Sequence, residues 1–229
     1  MYKIIPFTLF FLICFHISFS QKTIELKNPS FEDMPHAGSR NTLISEWKNC
    51  GELYFQDESP PDIHLSYDLH ESTTDHFFGV KKYASDGNTF LGMVVREDDT
   101  FEAVSQKLRK KLEAGKCYSF SIDLSRSLDY TSPYSPIMEV SNTKKFITPT
   151  VLSIFGSSKS CDHEELLAQS IPIANRKWET YNFVFRPTNS YKHIMLEAFY
   201  DESLGVAYNG NLLLDNASEI MKIECPDEE

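Results

Sequence analysis

Apolar and polar residues alternate along much of this chain, and that period of two restricts the fold more than any other feature. Residues 118–124 alternate tyrosine, phenylalanine, isoleucine and leucine with serine and aspartate. The same pattern returns in residues 181–185, 194–198 and 212–214. Because successive side chains of a strand point to opposite faces, each of these segments is predicted to be a strand with one buried face.

Glycine-containing turns separate the predicted strands. They lie at residues 86–88, 114–116, 156–158 and 209–211. Residues 90–95 and 151–155 are almost continuously apolar, as expected for strands buried on both faces. Only residues 101–112 fit one face of a helix, and a strand through 103–108 competes with that interpretation. Many short strands with such turns predict an all-β sandwich or barrel.

Composition excludes several classes of protein. With 229 residues, 41% hydrophobic and 13% aromatic, the chain is expected to form one folded domain rather than a disordered segment. The 33 acidic and 22 basic side chains give a net charge of −11. Because nucleic acids and anionic membrane surfaces both require basic patches, neither is an expected partner.

The first twenty residues match a secretory signal peptide. A short basic start with Lys3 precedes an apolar run that is too short to span a bilayer, and Ser18 and Ser20 are the small residues of a cleavage site. We therefore expect residues 1–20 to be removed and residues 21–229 to form a single exported domain. The expected localisation of this domain is the periplasm, the cell surface or the extracellular space. No later segment of the sequence is apolar enough to cross a membrane.

Four cysteines remain after the predicted cleavage: Cys50, Cys117, Cys161 and Cys225. In an oxidising compartment they predict at least one disulfide, in any of three pairings, although buried free thiols remain an alternative. Their spacing does not match the paired knuckles of a zinc site.

Three segments carry no strand pattern: residues 34–43, 57–82 and 129–149. They are predicted to be long loops, which is where binding residues are commonly found on a rigid scaffold.

Five motifs in order resemble galactose-binding-like jelly rolls and the carbohydrate-binding modules of that fold. They span residues 28–32, 86–92, 106–120, 178–183 and 212–216, which is nearly the whole predicted domain. The resemblance implies a jelly-roll β-sandwich. Residues 59–62 and 95–97 are also similar to a jelly-roll domain found ahead of OmpA-type domains in Gram-negative envelope proteins.

The resemblance also implies a structural calcium ion that ties the first strand to the last. By position its ligands would be the carboxylates of Glu32 and Asp215, with backbone carbonyls near Asn28 and Asn88 completing the shell. Hard oxygen ligands of this kind suit Ca²⁺. The alternative is that both carboxylates only accept hydrogen bonds from the backbone.

Carbohydrate binding requires exposed aromatic rings and polar groups that reach sugar hydroxyls. Trp47 and Trp178 lie at strand positions that the fold buries, so both are expected in the core. Aromatic residues of the predicted loops are better candidates, together with one arginine. The predicted ligand-binding residues are Tyr54, Tyr67, Tyr130, Tyr134 and Arg96.

Catalytic and transition-metal motifs are weak. Histidines at 64, 70 and 76 alternate with aspartates at 62, 68 and 75, but their six-residue spacing fits neither a strand face nor a helical turn, which favours a loop without zinc. No nucleophile elbow or metalloprotease motif occurs.

The leading hypothesis is a secreted, non-catalytic module that binds carbohydrate or another envelope ligand. A protein interaction or assembly factor of the envelope is the alternative, and a glycoside hydrolase comes third.

Overall fold

A computed structural model describes residues 23–38, 44–51, 61–69, 76–133 and 143–226. These residues form strands and three short 3-10 helices, at Tyr67–Leu69, Phe77–Gly79 and Glu202–Leu204. The strands are β1 (Thr23–Ile24), β2 (Lys48–Asn49), β3 (Asp62–Leu65), β4 (Thr89–Val95), β5 (Ala103–Leu112), β6 (Cys117–Ser125), β7 (Thr131–Pro133), β8 (Thr143–Lys145), β9 (Val151–Ser157), β10 (Glu165–Gln169), β11 (Glu179–Phe185), β12 (Tyr191–Phe199), β13 (Gly210–Asp215) and β14 (Ile220–Ile223). Within the described ranges no helix is both long and apolar enough to span a membrane.

The strands form two large sheets and one hairpin. The seven-stranded sheet has the order β1-β14-β6-β13-β4-β3, and β11 also pairs with β6. The five-stranded sheet has the order β10-β9-β12-β5-β2, and β7 pairs with β8. Neighbouring strands are antiparallel throughout, and chain neighbours often lie in different sheets. The all-β jelly-roll sandwich predicted from the sequence is confirmed.

The main core lies between the two sheets and is built from the alternating positions. On β13, Leu212 and Leu214 face this core, whereas Leu213 points to the other side of the sheet. Trp47 belongs to the core, as expected. Trp178 does not: its ring is half-buried beside a second cluster, so the prediction that it is a core residue is wrong.

That second cluster covers the outer face of the seven-stranded sheet. Phe90 and Val94 of β4 pack there with Leu213, Tyr130 and Phe146. The covering layer comes from chain segments around the β7–β8 hairpin and the 3-10 helix at Phe77–Gly79. Residues 90–95 are thus buried on both faces, which explains their continuous apolar character. The predicted loops therefore contain the strands β3, β7 and β8.

Residues 103–112 form β5 rather than a helix. The strand is hydrogen-bonded to β12 on one side and to β2 on the other. Val104, Leu108 and Leu112 reach the main core from β5, with a register shift opposite Tyr191 and His193 of β12. Tertiary pairing outweighs the helical spacing of these residues.

Both disulfides that four cysteines allow are present. Cys50 is bonded to Cys161, and Cys117 is bonded to Cys225. The first joins the end of β2 to the segment after β9, and the second joins the start of β6 to the chain beyond β14. The prediction of at least one disulfide is confirmed, and the bonds are those of a protein that matures in an oxidising compartment.

Candidate functional site

The carboxylates of Glu32 and Asp215 hold one turn, residues 85–88. Glu32 Oε1 accepts hydrogen bonds from the backbone N–H groups of Asn88, at 2.7 Å, and of Thr89, at 2.9 Å. Asp215 Oδ2 accepts from the N–H groups of Ser85, at 2.7 Å, and of Asp86, at 3.0 Å. The hydrogen-bonding alternative to calcium is therefore present in the structure.

The remaining predicted calcium ligands also have protein partners. The backbone carbonyl of Asn28 accepts from Trp47 Nε1, at 3.0 Å, and from the N–H of Phe31, at 3.3 Å. Asp123 is the register partner of Asp215 on the neighbouring strand, and it accepts a hydrogen bond from Ser85 Oγ at 2.6 Å. In the described part of the chain no three His, Cys, Asp or Glu side chains form a metal-binding group. Calcium remains a prediction.

Arg96 lies inside the protein and not in an exposed site. It is 8% exposed, and its Nη2 donates to Glu102 Oε1. Glu102 Oε2 accepts a hydrogen bond from the N–H of Val94 at 3.0 Å. The guanidinium therefore pairs with a buried carboxylate, and its N–H groups are not available to bind a ligand at the surface.

Tyr130 is also buried, at 1% exposure, so it is not a surface platform for a sugar. Its hydroxyl donates to Asp62 Oδ2, and its ring lies 5.6 Å from that of Phe78 and 6.2 Å from that of Phe146. The layer over the outer face of the seven-stranded sheet encloses this ring, and the local sequence does not reveal that layer.

Asp62, His64, Arg96, Glu102 and Tyr130 are all buried, and we call them the buried polar group. Burial and, after it, the nearby charge of Glu102 together raise the pKa of Asp62 to about 7. Burial likewise raises the pKa of Glu102, while Arg96 acts in the opposite direction. Both carboxylates have protein donors, so their geometry fits a structural role better than acid–base work in an open cleft.

The histidines of the predicted loop have separate surroundings. His64, on β3, stacks on Phe90 with ring centroids 5.2 Å apart. His76 stacks on Tyr67 at 5.0 Å. His70 and Asp75 lie outside the described residues, as do Tyr54 and Tyr134 of the predicted binding set and the predicted signal peptide.

Tyr67 is the predicted binding residue that the structure places at the surface beside other aromatic rings. Its ring is half-buried and meets Tyr83 edge-on, with centroids 5.7 Å apart. Tyr83 is 59% exposed. Trp178 Nε1 donates to the carbonyl of Tyr83 at 2.8 Å, and Lys82 Nζ lies 4.9 Å from the Trp178 ring centroid. Tyr67, His76, Lys82, Tyr83 and Trp178 form what we call the aromatic surface cluster.

Sequence reasoning did not propose three members of this cluster, Lys82, Tyr83 and Trp178, as binding residues. Tyr83 lies just beyond the segment interpreted as a long loop, and Trp178 immediately precedes β11. Two lysines precede Tyr83, and serine and aspartate follow it after one alanine. Tyr130 is buried in a similarly polar segment, so the local sequence contains no signal that would have separated the two.

The chain was compared with known families, curated proteins and solved structures. No protein-family model matches the chain, and no curated protein matches it. Among solved structures, the CBM22-1 xylan-binding domain of Paenibacillus barcinonensis Xyn10C has 9% identity and a TM-score of 0.45, and the match covers 90% of this chain and 97% of that one. The K2 cleaved adhesin domain of Lys-gingipain has 9% identity and a TM-score of 0.47, with 90% and 99% covered.

An arabinose-bound MgGH51 α-L-arabinofuranosidase has 10% identity and a TM-score of 0.47, and the match covers 88% of this chain. It spans 27% of the arabinofuranosidase chain, so the likeness concerns a part of that enzyme. The matched solved structures thus include carbohydrate-binding modules and glycoside hydrolases. Their TM-scores are all below 0.5, so these matches support no conclusion about the fold or function of this chain.

Proposed function

We propose that this protein is an exported, non-catalytic carbohydrate-binding module that holds a glycan on the aromatic surface cluster. The exposed ring of Tyr83 beside Tyr67 carries the proposal. A pyranose ring has an apolar face that packs on an aromatic ring, and the exposed fraction of Tyr83 leaves that contact available. Tyr67 contacts the Tyr83 ring edge-on. Because this contact already restricts the Tyr83 ring, less conformational entropy is lost when a glycan binds.

Polar groups for the sugar hydroxyls lie next to the rings. Lys82 Nζ donates to the carbonyl of Arg176 at 2.6 Å, which fixes the amine over Trp178. An ammonium group has three donors, so Lys82 keeps donors for a ligand after this contact. Asp68, exposed next to Tyr67 in the chain, adds carboxylate oxygens as acceptors. An aromatic face with donors and acceptors at its rim matches the two-sided chemistry of a sugar.

Binding without catalysis is supported by the place of the buried carboxylates. Asp62 and Glu102 both accept hydrogen bonds from protein groups inside the fold. A glycoside hydrolase needs two carboxylates on either side of a bond in an accessible cleft. The two disulfides support export, and the choice among periplasm, cell surface and extracellular space belongs to the proposal.

A glycan array and pull-down with insoluble polysaccharides, using residues 21–229 with both disulfides formed, tests the proposal. We expect saturable binding to one glycan class. Tyr83→Ala should weaken that binding by about five- to thirtyfold, because a stacked ring contributes about 1–2 kcal/mol. Tyr83→Phe keeps the ring and is the matched control, with binding expected within about twofold of the original protein.

Unchanged binding by Tyr83→Ala would move the site away from the aromatic surface cluster. If folded protein binds no glycan at all, the proposal fails and the alternative of a protein partner in the envelope takes its place, to be tested by pull-down.

Calcium at Glu32 and Asp215 is a separate proposal with its own test. A bound ion would take oxygens that now accept backbone hydrogen bonds from the 85–88 turn. A calcium titration of EDTA-treated protein, with the melting temperature as the readout, tests whether the ion binds. A saturable rise supports the ion, because a ligand that binds only the folded state stabilises it. An unchanged melting temperature supports the hydrogen bonds alone.

A further inference from the structure

The outer face of the five-stranded sheet, on the other side of the sandwich from the aromatic surface cluster, contains a pocket of about 530 Å³. Lys48 of β2, Ser105 and Lys107 of β5, and His193 of β12 line it, together with Ser160. The strand register brings the four strand residues together, because Lys48 lies opposite Ser105 and Lys107 lies opposite His193.

Alternation along the strands directs these side chains outward. Val104 and Leu108 on β5 and Ile194 on β12 face the main core, so the intervening positions face the opposite side of the sheet. The disulfide between Cys50 and Cys161 ties the segment after β9 to the end of β2. Ser160, next to Cys161, thereby lies at the wall of the pocket.

The pocket is basic in a protein whose net charge is −11. In the described ranges no carboxylate lies within ion-pair distance of Lys48 or Lys107. Glu46, the acidic residue at the rim, already pairs with Lys27 through a contact of 2.5 Å between its Oε2 and Lys27 Nζ.

Burial lowers the pKa of His193, and the charges of Lys107 and Lys192 act in the same direction. Hydrogen bonds to the backbone of residues 157 and 158 oppose this shift. Ser105 is 1% exposed and its Oγ donates to the carbonyl of Ile194 at 3.1 Å, so it belongs to the buried wall of the pocket and is not a ligand contact.

We infer that this pocket binds an anionic sugar, one that carries a carboxylate or a sulfate. The ammonium groups of Lys48 and Lys107, which pair with no carboxylate in the described ranges, match the oxygens of such a group, and the Ser160 hydroxyl matches a hydroxyl of the sugar. A volume of about 530 Å³ lies in the range of small-ligand pockets. The site is distinct from the aromatic surface cluster, and its ligand is bound independently of that cluster.

Binding of polygalacturonate, dextran sulfate and neutral dextran to residues 21–229, measured by affinity electrophoresis and calorimetry, tests the inference. We expect binding to at least one of the two anionic polymers and none to dextran. Polygalacturonate alone would identify a carboxylate, and dextran sulfate alone would identify a sulfate. Failure of folded protein to bind either polymer would overturn the inference.

Two double variants distinguish binding in the pocket from a general effect of the positive charge of the protein on anionic polymers. Lys48→Gln with Lys107→Gln should weaken anionic-polymer binding by about tenfold or more, the loss expected for a charge-assisted contact. Lys110→Gln with Lys111→Gln removes the same charge from the exposed end of β5 and should change the affinity by less than about threefold. Equal losses in the two double variants would refute a pocket.

Ser160→Trp fills the pocket without changing its charge, and it should abolish binding. If that variant, shown to be folded by its melting temperature, still binds, the anion lies elsewhere. Tyr83→Ala should leave anionic-polymer binding at this pocket in place, so failure of the proposed aromatic site and failure of this site are separate results.

Discussion

Replacing Arg96 by methionine should destabilise the protein strongly, because Arg96 neutralises the buried carboxylate of Glu102. The side chains of the pair are 9% and 2% exposed. Methionine leaves Glu102 buried, with the N–H of Val94 as its remaining partner in the described structure. The Arg96→Met variant therefore has to bury an uncompensated charge or protonate it.

The expected loss is about 3–5 kcal/mol in the free energy of unfolding, the cost of removing one partner from a buried ion pair. For a chain of this size that loss lowers the melting temperature by about 6–20 °C. Adding Glu102→Gln removes the orphaned charge and keeps an oxygen to accept from Val94. The double variant should recover about 2 kcal/mol or more.

Urea denaturation followed by tryptophan fluorescence measures these differences. Arg109→Met is the matched control: its guanidinium lies 3.2 Å from Glu25, with 64% and 59% of the side chains exposed. That variant should lose less than about 1 kcal/mol, since exposed pairs contribute little. The reasoning is refuted if Arg96→Met costs no more than Arg109→Met, or if the double variant is no more stable than Arg96→Met.

Three further predictions concern stability. Burial and the charge of Glu102 raise the pKa of Asp62 to about 7, so the folded state binds a proton more tightly than the unfolded chain between about pH 4 and 7. The free energy of unfolding of the original protein should therefore rise relative to that of Asp62→Asn as the pH falls through this range. If urea titrations give the same difference at every pH, the assigned burial is contradicted. Gly92→Ala places a Cβ 2.6 Å from His64 Nε2, and the His64 ring is stacked on Phe90. The substitution should therefore lower the free energy of unfolding by about 1–3 kcal/mol, measured by calorimetry. A neutral effect would mean that the ring moves freely. Replacing Cys117 and Cys225 by serine opens a loop of 108 residues and should cost about 4 kcal/mol in urea denaturation, whereas a loss below about 1 kcal/mol would assign that bond no role in stability.

Local pattern was sufficient for the strands and for the faces they present. The alternation in residues 118–124 predicted which side chains of β6 enter the core, and the continuous apolar run at 90–95 predicted a strand buried on both sides. Both predictions hold because the two-residue period of a strand is a property of the backbone itself. Residues 103–112 show the limit of such patterns: their spacing also suits a helix, and pairing with β12 decided for a strand.

The predicted binding residues depended on exposure, which local pattern does not contain. Tyr130 and Arg96 occur in or next to polar segments, as a surface residue would, yet the layer over the seven-stranded sheet encloses both. Trp178 immediately precedes a strand, where a core residue was expected, yet it lies at the edge of that layer beside Lys82. Each of these outcomes depends on segments far apart in the chain.

The sequence by itself determined that this protein is a β-sandwich, because alternation and turn chemistry act over a few residues. Only the tertiary structure decided the cysteine partners, the burial of Arg96 and Tyr130, and which residues lie together in the aromatic surface cluster and in the basic pocket. The aromatic surface cluster joins residues from 67 to 178, and the basic pocket joins residues from 48 to 193. Contacts over such separations arise from sheet order and register, which no local stretch of sequence specifies.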